Sequence, residues 1–496
     1  MRIMKNYKYI IKLLLIALLA MPVLNSCSDD DFLDRKPLGN ATEGDLTAGG
    51  FEEKAFGLYG KIRTQDGVTN WIRYWFQNIR SDDAQKGSTP TDASTLGNIM
   101  DNFQYSATQA EFALNWNGHY SLIFACNDLI TEIETSGLTD QGTIINEAEA
   151  KAIRGFAYFD LYRDYGEVPI ILNKVVIPSD GVKAKSTVAE LETQIIADLE
   201  YAASNLPDAW PAYPGRATKG FANALLAKLY LYQRNWAKSL EKSELVITSG
   251  QYVLDNSYVT LFSEAGDNTK ESIFEVQFLR EAGVNYSSNY WESQGVRGSS
   301  TWDLGWGFNV PTSNLVNAYE TGDPRKDATI LFSGQNDGFG LTVPASPPLA
   351  QPYWNKKAYT TPSIRQSYGE NKNHWKNIKI LRYADVILMA AEAANESGDF
   401  SKAAEYLEMI RSRARGVSAV LPEIADLNQA VLKAAIKHER RIELAMEGER
   451  FYDLVRWGDA PAVLGGLGYQ DKHKYYPIPQ TAIDQSGGVL VQNPNY

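Results

Sequence analysis

The sequence predicts a mainly α-helical protein: a scaffold of paired helices, with a loop-rich part carrying a few short strands packed against it. Three observations predict this. Apolar residues recur at three- and four-residue spacing over several long segments. Two separated segments share one helix–turn–helix pattern. The stretch between them loses that period and gains Gly, Ser, Asn, Pro and tryptophan.

The chain opens on a leader. Residues 1–26 carry Arg2, Lys5, Lys8 and Lys12 and no acid, and end in an apolar run from Leu13 to Leu24. That run is too short for a bilayer, which needs about 20 residues, and has the layout of a cleavable export signal. Leu24-Asn25-Ser26-Cys27 places a branched residue three before a Cys and a small one just before it. This is similar to the lipobox of bacterial lipoproteins, so Cys27 is the expected lipid-attachment site. Each buried methylene contributes about 0.8 kcal/mol, and two or three acyl chains hold where one does not. Residues 27–50, acidic at Asp29-Asp30-Asp31 and without helical period, read as a tether. Such a tether, about 20 residues long, makes docking of the body on a membrane partner effectively intramolecular.

Helical patterns follow at 51–64, 111–134, 147–165 and 187–205. Thr187, with Glu190 three residues on, reads as a capping box. Residues 217–250 and 384–415 then match. Each has an Ala/Leu-rich helix, a short turn and a second Ala-rich helix, with Asn235-Trp236-Ala237 in the place of Asp399-Phe400-Ser401. A unit near 34 residues suits tetratricopeptide-like helix pairs, which bury little alone and stack on others. Between them, Ser272–Phe278 alternates like a strand. Residues 281–375 are loop-rich and hold Trp291, Trp302, Trp306, Trp354 and Trp375. Helix returns at 381–415 and 427–447. Four parts result: signal peptide 1–26, lipidated tether 27–50, an N-terminal helical region 51–250 and a C-terminal region 251–496 with the loop-rich insert.

Composition narrows the function. Net charge is −12, and loss of the basic leader leaves a more acidic body, which repels nucleic acid and anionic lipid. Cys126 lies in an apolar helical stretch and reads as a buried, inert thiol. His119, His374, His438 and His473 stand apart, and no metal-ligand spacing, nucleophile elbow or phosphate loop occurs. No cofactor and no catalysis are expected. Asp82-Asp83 read as acids pointing apart in a turn, and Glu439, Arg440, Arg441 and Glu443 as ion pairs along one helix.

Aromatic residues in polar loops are the informative feature. A pyranose offers a C–H face to a flat ring and hydroxyls to amides and charges, and a rigid ring loses little entropy in covering it. Residues 285–303 supply Tyr286, Tyr290, Trp291 and Trp302 beside Asn289, Glu292, Gln294 and Arg297. Residues 70–78 supply Trp71 and Trp75 beside Asn70 and Arg73. Trp71, Trp75, Tyr290, Trp291, Arg297 and Trp302 are the ligand-binding candidates. Trp71 and Trp75, four apart, also fit one buried helical face.

A run of motifs resembles the SusD/RagB family of outer-membrane lipoproteins. These are CSDDDFLD at Cys27, NDLI at 127–130, EAKAIRGFAYFDLYRDYGEVPI at 149–170 and RATKGFANALLAKLYLY at 216–232. GWGFNVPTSNLVNAYETGDPRKDATI at 305–330, ILRYADVILMAAEAANESGD at 380–399 and ERRIELAMEGERFYDLVRWG at 439–458 follow, with PIPQTAI and QNPNY at the end. Met446 departs from a frequent Phe. The resemblance implies tetratricopeptide-like helix pairs, a surface-exposed lipoprotein of the outer membrane, and a SusC-like TonB-dependent transporter as partner. It implies delivery of a glycan ligand without catalysis, or of peptide in the RagB branch; a general helical adaptor is the further alternative. It also implies that Trp306 and Trp457 are scaffold, with ligand aromatics in variable loops.

Overall fold

The computed structural model describes residues 50–64, 67–281, 284–286, 289–373 and 375–496. The leader, Cys27 and the tether to residue 49 lie outside the described residues. Among the described residues, no helix is long and apolar enough to cross a membrane.

The principal helices stack largely in chain order. α1 (Phe51–Arg63) lies on α2 (Ala110–Ser136) and α3 (Gln141–Tyr165); α3 packs on α4 (Val188–Asn205), α4 on α5 (Lys219–Tyr232), and α5 on α6 (Trp236–Ile247). The stack then crosses the long insert. α6 packs on α7 (Tyr383–Glu396), α7 on α8 (Phe400–Arg415), and both α7 and α8 on α9 (Gln429–Glu443). α10 (Arg450–Trp457) follows.

The two matching segments are therefore neighbours, α5–α6 beside α7–α8. Their turns agree in backbone. Arg234 and Gly398 have φ of 56° and 85°, and Asn235 (φ −84°, ψ 75°) and Asp399 (φ −90°, ψ 76°) follow. Each Asn235 and Asp399 side chain accepts from the amide three residues on, which caps the next helix. Ser239 and Ala403, one turn further, are fully buried, and their small size lets the helices close up. The Thr187–Glu190 capping box forms as expected. Cys126 is buried, and burial pushes its thiol pKa up, away from the reactive thiolate.

The insert forms a loop layer with short strands. These are β1 (Ala84–Gly87), contributed from before the insert, then β2 (Ser272–Val276), β3 (Leu279–Glu281), β4 (Val284–Tyr286), β5 (Phe308–Pro311), β6 (Ile330–Phe332), β7 (Tyr353–Asn355) and β8 (Ile378–Arg382). They pair antiparallel as β1–β5, β2–β8, β3–β4 and β6–β7. The helix expected from residue 381 starts instead at Tyr383, because Leu381 and Arg382 pair with Phe274 and Ser272. One main core runs from Phe51 to Leu490, drawing on both the N-terminal and the C-terminal region.

Charges, as much as apolar residues, join these parts. Glu439 and Glu443 are fully buried, so neighbours on their own exposed face cannot serve them. They pair across elements instead: Arg325 reaches Glu439 and Glu443, Arg411 reaches Glu439 at 3.0 Å, and Arg382 and Arg413 reach Glu443 at 3.2 and 2.5 Å. Asp82 and Asp83 do not diverge. Arg441 binds both, and Arg450 binds Asp82 at 2.8 Å. A continuous relay runs Arg73–Asp160–Arg163–Glu449–Lys228–Asp385–Arg440–Asp453–Arg456–Glu392 in steps of 2.5 to 3.3 Å.

Breaking a buried pair on one side strands the other charge, which costs about 3–5 kcal/mol. Arg440→Met strands Asp385 and Asp453 and should lose that much in urea denaturation. Lys433→Met, at a half-exposed pair with Glu396, should lose about 1 kcal/mol or less. Acid should act on the same network. Burial works against the charge, yet Lys228 and Arg440 hold Asp385, and Arg413 and Arg382 hold Glu443, well below the usual carboxylate range. Depressed carboxylates give stability that is complete above the unfolded value of about 4 and is lost as pH falls below it. The denaturation midpoint should drop steeply there, and less steeply in Arg440→Met. Equal losses in the two variants contradict this reading.

Candidate functional site

The six ligand-binding candidates fall into two places. Trp71, Trp75, Tyr290 and Trp291 come together. The Asn70 side chain accepts from the Ile72 amide at 2.8 Å and donates to the Gly67 carbonyl at 2.9 Å, which fixes the turn bearing Trp71. A three-residue helical turn, Ile72–Tyr74, then widens into a π-helical turn, Trp75–Ile79. Trp71 meets Trp75 edge-on at 6.5 Å, and Trp75 stacks on Tyr74 and leans on Phe308. Tyr74 meets Tyr290 at 5.8 Å, and Tyr290 meets Trp291 at 4.8 Å.

Burial sorts these rings. Trp75 is 1% exposed and Tyr290 7%, so neither offers a face to a ligand, and both act as supports. Arg73 is also withdrawn, bound to Asp160 at 2.7 Å. Trp71 and Trp291 are partly exposed ends of the run. Trp291 is held firmly. Its Nε1 donates to the carbonyls of Lys376 and Asn377 at 3.1 and 3.2 Å, and the Lys376 ammonium lies 4.6 Å from its ring centre. Lys376 is buried, and burial pulls its pKa down to about 8. The polar groups expected beside these rings are mostly committed. Gln294 is buried against Asn309 and Asn355, and Glu292 accepts from Trp306 Nε1 at 3.2 Å. The Tyr286 side chain lies outside what is described.

Arg297 and Trp302 lie in the second place, farther along the loop layer. Arg297 is half-exposed, pairs with Asp92 and reaches Ser88 Oγ at 3.3 Å. Trp302, 9% exposed, belongs to a small core with Leu331, Trp354 and Tyr359. It is the inner member of a ladder: Trp302 stacks on Tyr359 at 6.2 Å and 17°, and Tyr359 on Phe339 at 6.1 Å and 27°. Phe339 is 40% exposed. Its turn is rigid. The buried Asp337 carboxylate accepts from the amides of Phe339 (2.8 Å) and Leu341 (2.9 Å) and from Tyr359 Oη (2.7 Å). Gly338 and Gly340 take φ of 86° and 101° on either side. Gln335 and Asn336 are exposed nearby, and the Lys356 ammonium lies 5.7 Å from the Phe339 ring centre.

Phe339 is not among the candidates that the tryptophan-bearing loops supply. Its signal was available: one aromatic between two glycines in a polar loop, QNDGFGLT. The arrangement can cover an apolar face of a ligand from a pre-fixed ring. Among the described residues, no group of three or more His, Cys, Asp or Glu could hold a metal ion.

The sorting by burial has a direct check. Trp75→Ala should cost about 3–5 kcal/mol in urea denaturation, while Phe339→Ala should stay within about 1 kcal/mol. Similar costs for the two would mean that the exposed ring is structural.

Comparison with known proteins adds the lineage. A model described as "SusD family" matches residues 270–496, and one described as "Starch-binding associating with outer membrane" matches residues 31–231. SusD-like protein P2 of Formosa agariphila is 28% identical over 99% of this chain and 100% of its own. A solved laminarin binding SusD-like protein superposes with TM-score 0.75 at 28% identity, covering 90% of this chain and 99% of that one. Surface glycan-binding protein A from Bacteroides thetaiotaomicron, solved in complex with laminarihexaose, gives TM-score 0.74 at 26% identity, over 90% and 99%. With the paired-helix stack and the loop layer between its halves, the chain belongs to the SusD/RagB family.

Proposed function

We propose that this protein captures extracellular glycan on its loop layer and delivers it to a SusC-like TonB-dependent transporter, held at the outer membrane by lipid on Cys27. It binds and hands over, without making or breaking bonds in the ligand. The observation that carries the reading is the outward ring of Phe339, stacked through Tyr359 on Trp302 and locked by Asp337. The part of the ring left in water adds nothing to stability, whereas a pre-fixed ring binds a sugar face at low entropic cost. Trp71 and Trp291 are further platforms, with Trp75, Tyr290 and Trp302 as supports and Arg297 as a polar contact. Similar proteins that bind laminarin or laminarihexaose support the ligand class.

Calorimetric titration of the Cys27→Ala protein with laminarihexaose tests this. Stacking of about 1.4 kcal/mol predicts a roughly tenfold loss of affinity in Phe339→Ala and in Trp291→Ala. Unchanged affinity in both variants overturns the platform, and binding of peptide in place of glycan overturns the ligand class. The same Cys27→Ala change should abolish metabolic labelling of the protein by a radioactive fatty acid; labelling that persists would refute the lipid anchor.

A further inference from the structure

A second cleft, of about 670 Å³ with its mouth included, opens where α3, α5 and α10 meet the C-terminal segment. Four tyrosines line it: Tyr162, Tyr232, Tyr452 and Tyr475. So do four cations, Arg163, Arg234, Arg456 and Lys474, and no carboxylate is among the lining residues. The charges divide by depth. Arg163 is held from behind by Asp160 at 2.6 Å and Glu449 at 3.3 Å, and Arg456 by Asp453 and Glu392, both at 2.7 Å. Arg234 and Lys474 are exposed; Arg234 donates to the Arg456 carbonyl at 3.0 Å, and Lys474 has no ion pair among the described residues.

Two buried donors lack a protein partner. Arg163 is 94% buried by its 6% exposure, yet its Nε–H has no protein partner, and neither has the buried hydroxyl of Tyr232. Both atoms are closed off from the cleft, and so is the second carboxylate oxygen of Glu449, the partner of Arg163, which also lacks a donor. Glu192, bound to the lining residue Tyr162, is already occupied by Tyr162 Oη at 3.0 Å and Gln233 at 2.9 Å. The wall at Tyr475 is set by Gly166, where a Cβ would come within 2.8 Å of the Tyr475 ring. That glycine lets the ring lie against the chain at the end of α3.

We propose that this cleft is a second ligand site, distinct from the loop-layer platform, for a carboxylate or sulfate group carried on a sugar-sized ring. The lining arginines at depth are neutralised by their own carboxylates, so Arg234 and Lys474 meet the ligand charge. The tyrosine rings cover its C–H face. The site does not depend on which glycan the loop layer takes.

Ligand-observed NMR titrations of the Cys27→Ala protein with glucuronate, glucose 6-sulfate, glucose and inorganic sulfate test it. Glucuronate and the sulfate ester should saturate one site, with glucose and inorganic sulfate binding more weakly. Arg234→Gln and Lys474→Gln, both at exposed residues, should each weaken glucuronate binding about fivefold, as loss of one charge contact implies. The Arg234→Gln/Lys474→Gln double variant should weaken it further while leaving laminarihexaose affinity unchanged. The proposal fails if glucuronate does not bind, if glucose binds equally well, or if the Arg234→Gln/Lys474→Gln double variant keeps full affinity. Equal binding of inorganic sulfate would remove the ring from the recognition.

Discussion

The buried ion-pair relay through Arg440 is the interaction on which the rest of the structure depends. Arg440 sits on α9, Asp385 on α7, Lys228 on α5, Asp160 on α3 and Asp453 on α10, so one chain of contacts pins five helices. Apolar faces of Ala and Leu permit sliding by a residue or a turn. A buried guanidinium does not, because every displaced partner is a desolvated charge. The relay thus helps to set the register of the stack.

The same chemistry joins the loop layer to the stack. Arg73 ties the turn bearing Trp71 and Trp75 to α3, Arg382 ties β8 to α9, and Arg325 ties the middle of the insert to the same helix. Arg441 and Arg450 clamp Asp82 and Asp83, just before β1. Function follows from this. Rings in loops become fixed platforms only when their loops are fixed, and here the anchors are charges at the base, with Asp337 repeating the device at the tip.

Much of the scaffold was legible in the sequence. The matched turns at Asn235 and Asp399, the Thr187 cap and the strand at Ser272 depend on residues within a few positions, and local patterns report them. The charge pairing was not legible, since Glu439 meets Arg325 across 114 residues and nothing local marks it. The candidate site was legible in part. Sequence located the aromatic loops but could not separate Trp75, which faces inward from a π turn, from Trp291, which reaches the surface. Phe339 was passed over because its role rests on stacking with Tyr359 and Trp302, neither of them its neighbour in sequence.

The central claim is that the neutral glycan meets the protein on the ion-anchored loop layer and leaves the helical stack untouched. Hydrogen-exchange mass spectrometry with and without laminarihexaose tests it most directly. The account predicts slowed exchange at residues 289–306 and 334–343, with α7 and α8 unchanged. Protection confined to the helical hairpins, with the loop layer unaffected, would contradict it.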